Sequence, residues 1–329
     1  MADKRSVIYS IEYIRAIAVI MVVMTHVYTS AFLSGTDHIY SAIFADVNIF
    51  FTFAAGFLFY HLSRKEPYYQ FVRRRAKNVL IPYLIISIPA ILIYALGLKQ
   101  HPNIDLPDIG GVGLAAYLLL TGLHLGPLWF IPMIFILYLS TFVIRELERF
   151  RYGYLLAFLV SLGLALTIFP RPQFNDNPLM AAGHYLPIFL LGALLCERYA
   201  LVRTMAEKYW MAFLILALLL FSISSQLDKD LQFPLKIVAL ISIFIFFTRF
   251  ENVHMRFVDV LAGYSFAIFF LHGYIVAVIR ILIDRGTMAV PIQNLGFILV
   301  SAIVIAICIA IAYLLKRVAG RHSRYLVGR

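Results

Sequence analysis

Twenty-two consecutive residues from Asn294 to Leu315, NLGFILVSAIVIAICIAIAYLL, carry no charged side chain. At ~1.5 Å per helical residue such a run crosses a hydrocarbon layer of ~30 Å. Comparable runs recur along the chain. They predict an all-α polytopic membrane protein with about ten spans, near 7–32, 40–62, 79–97, 127–145, 152–169, 178–196, 208–226, 233–250, 257–283 and 291–315. Turn-forming stretches such as HPNIDLPDIGG (101–111) and PRPQFNDNP (170–178) punctuate them. Residues 112–123 are apolar but too short to span, and read as an interfacial or re-entrant helix.

Composition agrees with this reading. The 329 residues are 62% hydrophobic and 14% charged, with mean hydropathy +0.88, whereas a soluble domain carries roughly a quarter charged residues. No internal repeat, low-complexity stretch or soluble module stands out, so residues 1–329 are expected to form a single integral-membrane domain. The first apolar run is too long for a signal-peptide core and carries Glu12 and Arg15, so it is expected to stay in the membrane as the first span. Cys196 and Cys308 both lie in or beside apolar runs, which argues against a disulfide framework or a cysteine metal site.

The net charge of +11 invites a nucleic-acid partner. Its distribution argues otherwise. Of the 28 Lys and Arg, 21 fall on the side of the N-terminus and six on the opposite side, with Arg15 inside a span. That asymmetry predicts cytoplasmic termini by the positive-inside rule, with membrane lipid headgroups as the partner of the basic segments and no nucleic acid.

The informative polarity lies inside the first span. Eleven helical steps lead from Arg15 to His26 in RAIAVIMVVMTH, which puts them within about 20° of one another and roughly 16 Å apart on one helix face. Glu12, three residues before Arg15, is placed to pair with it. Ionisable groups inside a span are expensive and normally face a cavity or the bundle interior. The plainer alternatives are a snorkelling Arg15 and a structural His26. Asp46 and Asn48, six to eight residues into the second span, fall at a depth similar to His26, and either group can orient an imidazole for general-base work. The alternative for Asp46 is a place in the outer interface. His124, His184 and His272 also gather in the outer half, with Ser265 two helical turns before His272. No metal-binding spacing is present, so no metal is expected. FVRRRAKN (71–78) places Arg73, Arg74, Arg75 and Lys77 just before the third span. This is either a headgroup anchor or a phosphate clamp, since guanidinium forks match phosphate oxygens.

Arg15, ten residues, then His26 resembles the first-span signature of the integral-membrane acyltransferase family 3, whose members O-acylate cell-surface glycans. PLWFI (127–131), YLPIFLLGALLCER (185–198) and YSFAIFFLHG (264–273) resemble later segments of that family, and the resemblance covers most of the chain. It departs at FTFAAG (51–56), where Ala55 occupies the usual serine position. It departs again at Arg75-x-x-Asn78, where the family carries a second arginine and Lys77 is the available stand-in. The resemblance implies an acyl-CoA donor, with acetyl-CoA as the expected species, and a glycan or lipid-linked glycan acceptor in a bacterial inner membrane. Arg15, Glu12, Arg73, Arg74, Arg75, Lys77, Trp129 and His272 are then binding residues. His26 is general base or transient acyl carrier, with Asp46 or Asn48 orienting it. A polysaccharide or lipid-linked sugar transporter is the alternative, because buried polar groups also mark transport paths; a structural subunit of an envelope assembly is a third.

Overall fold

A computed structural model describes residues 7–27, 44, 46–101, 104–172, 174–224, 226–227, 229–285 and 293–327, and every regular element among them is helical. The elements are α1 (Tyr9–Val27), α2 (Asn48–Leu58), α3 (Tyr68–Arg75), α4 (Ile81–Ala95), α5 (Gly110–Thr121), α6 (Phe130–Ile144), α7 (Gly153–Thr167), α8 (Pro178–Glu197), α9 (Tyr199–Ser224), α10 (Lys229–Thr248), α11 (Arg256–Asp284), α12 (Gln293–Ala319) and α13 (Ser323–Val327). Short π-helical turns, Phe59–Ser63 and Ala76–Leu80, extend α2 and join α3 to α4.

Among the described residues, eight helical stretches are long and apolar enough to cross a membrane, and the protein is an all-α integral membrane protein. Each of the ten expected runs holds a helix, but Asn48–Ser63 and Gly153–Thr167 are shorter than the other eight. In the first case Asp46 adopts a left-handed φ of 61° just before α2 begins. Residues 28–32, 40–43 and 45 of the first two expected spans lie outside the described residues. In the second, Phe169-Pro170 follows α7, and the residue before a proline is pushed out of helical geometry. The basic stretch 63–78, expected as a loop, is largely helical: Pro67 presets the start and α3 runs through the π turn into α4. Expected span 208–226 coincides with the part of α9 beyond a break at Tyr209.

Burial separates centre from periphery. In the best apolar window of α8, 67% of residues are buried, and in that of α1 56%, against 11% for α9. The large apolar side chains that α4, α7, α9 and α12 leave exposed, among them Ile88, Val160, Leu219 and Ile303, suit contact with lipid tails. In lipid, helices associate by close packing of small residues. The α2–α8 crossing shows why. A Cβ on Gly56 would lie 1.9 Å from the Phe189 carbonyl oxygen, and one on Gly192 would lie 2.2 Å from that of Phe53. The glycine of FTFAAG is therefore a packing requirement.

The N-terminus of α1 is tied down by distant residues. Both Glu251 oxygens accept backbone N–H groups of the first turn, from Tyr9 and, at 2.9 Å, from Ser10. A carboxylate there satisfies orphan donors and complements the helix dipole. The Tyr13 hydroxyl donates to the Val253 carbonyl at 2.9 Å, and the Tyr9 hydroxyl donates to Asp259 at 2.8 Å. These contacts fix the rotation of α1 and so turn its polar stripe toward α11.

Candidate active site

At the N-terminal end of the stripe, Arg15 is held on every side. One guanidinium nitrogen lies 3.0 Å from both Glu12 oxygens, and the other donates to the Ala262 carbonyl at 2.7 Å and to the Ser265 hydroxyl at 3.0 Å. Helix α11 thus supplies two of its partners. Arg15 lines two adjoining spaces. The first is a vestibule of about 540 Å³ that includes Tyr9, Glu12, His254 and Asp259. The second is a narrow apolar cleft, with room for about 60 Å³ of solvent, lined by Ala55, Arg75, Val79 and Tyr138 and by Phe51, Phe130 and Phe269. Those three phenylalanine rings pack with centroids 5.6–6.2 Å apart.

The four predicted clamp cations separate. Only Arg75 reaches the cleft, where its guanidinium lies over the Phe71 and Tyr138 rings at 5.3 and 5.0 Å and its buried Nε has no hydrogen-bond partner among the described residues. Arg74 binds Glu66 at 2.6 Å and the Ser63 hydroxyl at 2.9 Å. Lys77 lies 5.2 Å from the Tyr325 ring centre, and Arg73 is exposed. The π turn after Arg75 lets Arg75 and Val79 face the same cleft. Ala55 also lines it, so the missing serine hydroxyl is missing from the cleft wall. Thr52 does not replace it, because its hydroxyl bonds the Asn48 carbonyl at 3.0 Å inside the helix.

At the other end, His26 lines a separate cavity of about 500 Å³ together with Tyr94, Lys99, His124, Gly126, Tyr274 and Arg280. Its backbone carbonyl accepts from Arg280 at 2.6 Å, which ties the end of α1 to α11. A Cβ on Gly126 would stand 3.3–3.4 Å from the Cε1–Nδ1 edge of the ring. His272 is fully buried behind His26, ring centroids 5.2 Å apart. His124 is held by the Leu118 carbonyl at 2.9 Å and the Ser87 hydroxyl at 2.7 Å. Among the described lining residues the cavity holds two cations and no carboxylate. Burial, and then the Arg280 guanidinium, push the Lys99 ammonium below its ordinary range.

Asp46 does not join this group. The structure pairs its carboxylate with Arg171, with Lys236 at 3.7 Å and with the Tyr185 hydroxyl at 3.4 Å, and not with the His26 ring. A carboxylate with two nearby cations is drawn to them, whereas a neutral imidazole offers no comparable Coulomb gain. Asn48 opens α2, and its carbonyl is engaged by Thr52. Trp129 belongs to the Asp46 cluster as well. It is buried, with its ring tilted against that of Tyr185 at 6.0 Å and covered by the Arg171 guanidinium at 5.7 Å. Lys236, only 2% exposed, is one of the six cations of the side opposite the N-terminus, and its position inside the run 233–250 is the sequence signal for its burial. Glu251 and Asp259 gave no local signal, since they are brought to α1 by the fold alone.

Among the described residues, no group of three or more His, Cys, Asp or Glu side chains is arranged to hold a metal ion. No curated protein and no solved structure matches the chain. Residues 8–317 match the family model described as an acyltransferase domain, and the chain therefore belongs to acyltransferase family 3, as an integral-membrane acyltransferase.

Proposed function

We propose that this protein moves an acetyl or other short acyl group from acyl-CoA, bound from the cytoplasmic side, to a hydroxyl of a cell-envelope or exported polysaccharide, in a bacterial inner membrane. The observation that carries the reading is that one face of α1 bears both groups, with Arg15 opening on one set of cavities and His26 on another. A nucleotide donor is too polar to cross, so its phosphates stay at the Arg15 vestibule, with Arg75 as the second cation and exposed Arg73 as a peripheral one. The pantetheine arm enters the apolar cleft and brings the thioester toward His26.

Phe51, Phe130 and Phe269 stand in the way. On α11, Phe269 lies between Ser265, which holds Arg15, and His272, which backs His26. Passage of the arm therefore requires these rings to part, and their closed packing keeps water from running between the two sides. Once the thioester reaches the His26 cavity, the imidazole takes the proton of the acceptor hydroxyl. The freed oxygen bonds to the thioester carbonyl carbon, the carbon–sulfur bond breaks, and the thiolate recovers the proton from His26.

The test uses membrane vesicles from expressing cells and acetyl-CoA labelled in the acetyl group. Label is expected in the envelope glycan fraction with wild-type protein and not with His26→Ala. A well-inserted His26→Ala protein that still transfers label removes His26 from the mechanism, and wild-type protein that neither transfers nor slowly hydrolyses the thioester removes the enzyme reading.

A further inference from the structure

Helix α11 meets the polar stripe of α1 twice. Ser265 holds Arg15 at one end; seven residues on, His272 stands beside His26. His272 is 0% exposed, and its Nδ1 lies 2.9 Å from the Ile268 carbonyl one turn back. A carbonyl only accepts, so Nδ1 carries the proton and Nε2 carries a lone pair. That Nε2 is buried and has no hydrogen-bond partner among the described residues. Buried polar atoms are nearly always satisfied, and an orphan acceptor on a ring beside a second imidazole points to a donor that arrives during the reaction cycle.

The donor within reach is the His26 ring. The two rings are 5.2 Å apart by centroid with planes inclined at 51°, so a turn of the soft terminal torsion of His26 brings a ring N–H to the His272 lone pair. The Cε1–Nδ1 edge of His26 faces Gly126, where the absence of a side chain leaves room in the cavity. The groups around the pair are Arg280, bonded to the His26 carbonyl, His124 and Lys99 across the cavity, and the Phe269 ring 6.0 Å from His272. None of them is a carboxylate that would compete for the His26 N–H.

We propose that His272 is the positioning residue for His26: its Nε2 accepts the Nε2–H of the His26 ring and so leaves Nδ1 as the base that faces the acceptor hydroxyl beside Gly126. The inference rests on the acyl-transfer reading of His26. In the step, the acceptor O–H proton moves to His26 Nδ1 as the oxygen–carbonyl carbon bond forms and the carbon–sulfur bond breaks, and the same proton leaves with the thiol. His272 keeps its own proton on Nδ1 throughout and is never acylated. It orients the ring in one tautomer and stabilises the imidazolium that forms, the part that a buried carboxylate plays in a serine-protease triad.

The experiment compares wild type, His272→Leu, His272→Gln, His26→Ala and the double variant His26→Ala/His272→Leu in the labelled acetyl-CoA assay on vesicles, with size-exclusion profiles in detergent. His272→Leu should lower kcat on the order of 100-fold with KM for acetyl-CoA unchanged. His272→Gln, whose amide oxygen can accept the same N–H, should recover most of that loss, and the double variant should be no worse than His26→Ala. A kcat within threefold of wild type in His272→Leu overturns the proposal. So does a loss that Gln does not relieve, a loss that falls on KM, or aggregation of both His272 variants, which would make His272 structural. Absence of transfer by wild-type protein would instead remove the acyl-transfer reading itself.

Discussion

The two ends of one helix face are built on opposite terms. Arg15 carries a permanent charge into the membrane, and the fold meets it with four hydrogen bonds, two from a carboxylate three residues away and two from α11. His26 is a group that is neutral near physiological pH, and its ring has been left without a hydrogen bond among the described residues, facing a cavity on one side and an unsatisfied imidazole on the other. A guanidinium placed as Arg15 is gains from such partners, because an unpaired buried charge is costly. An imidazole can wait for its ligand. Arg15 is therefore fully partnered at one end and His26 open to a cavity at the other, and the contrast suits the proposed donor, whose phosphates would bind before its thioester reacts. The Asp46–Arg171–Lys236 cluster is a third arrangement, with charges closed upon one another.

The largest effect should come from the open end. Replacing His26 by Ala removes the base without emptying a packed core site, so label transfer in vesicles should fall by about 10³-fold while the detergent melting temperature changes little. An equal loss of melting temperature would erase the contrast by making His26 structural. The next largest effect should be purely on stability. Asp46→Ala takes the shared carboxylate from Arg171 and from Lys236, and should cost about 3 kcal/mol in thermal unfolding with kcat of the folded fraction within a few-fold of wild type. A collapse of kcat with normal melting would return Asp46 to the catalytic group.

At the anchored end a mixed outcome is expected. Arg15→Leu should raise KM for the acyl donor about tenfold, equivalent to ~1.4 kcal/mol. It should also destabilise by about 1–2 kcal/mol, a modest figure because both side chains of the pair retain 21% exposure. Adding Glu12→Gln should recover the stability and leave KM high, which separates the two jobs of the guanidinium. The smallest effect concerns the rings between the ends. Phe269→Ala loosens the closed phenylalanine cluster and should raise futile thioester hydrolysis about two- to threefold, measured as free CoA released without labelled glycan. Unchanged hydrolysis would place the passage elsewhere.

Much of the scaffold was legible from residue order because lipid imposes a severe rule on every span. Ten apolar runs became ten helices, and the pairing of Glu12 with Arg15 followed from a three-residue offset on one helix. The helical spacing of Arg15 and His26 likewise placed both on the α1 face that meets α11. Similar depth does not bring Asp46 to His26, because depth fixes one coordinate only. Nothing in the spacing reports that α8, α10 and the 169–177 connection bring Tyr185, Lys236 and Arg171 to the same point. The clamp FVRRRAKN shows the same limit. Cations close in sequence do not all fall on one side of a helix, and of the four only Arg75 reaches the cleft.

The amino-acid order determined what depends on local chemistry and on the solvent: helices, their approximate ends, the membrane, and a cation and an imidazole on one face. Tertiary structure decided what depends on which helices meet. It chose α11 as the neighbour of that face, gave Arg15 its finished set of partners, set His272 behind His26, and closed the cleft between them with three phenylalanines. The physical reason is that a helix pattern specifies the direction of each side chain about its own axis, while the partner it finds there is supplied by residues some 250 positions away, through packing that no local signal encodes.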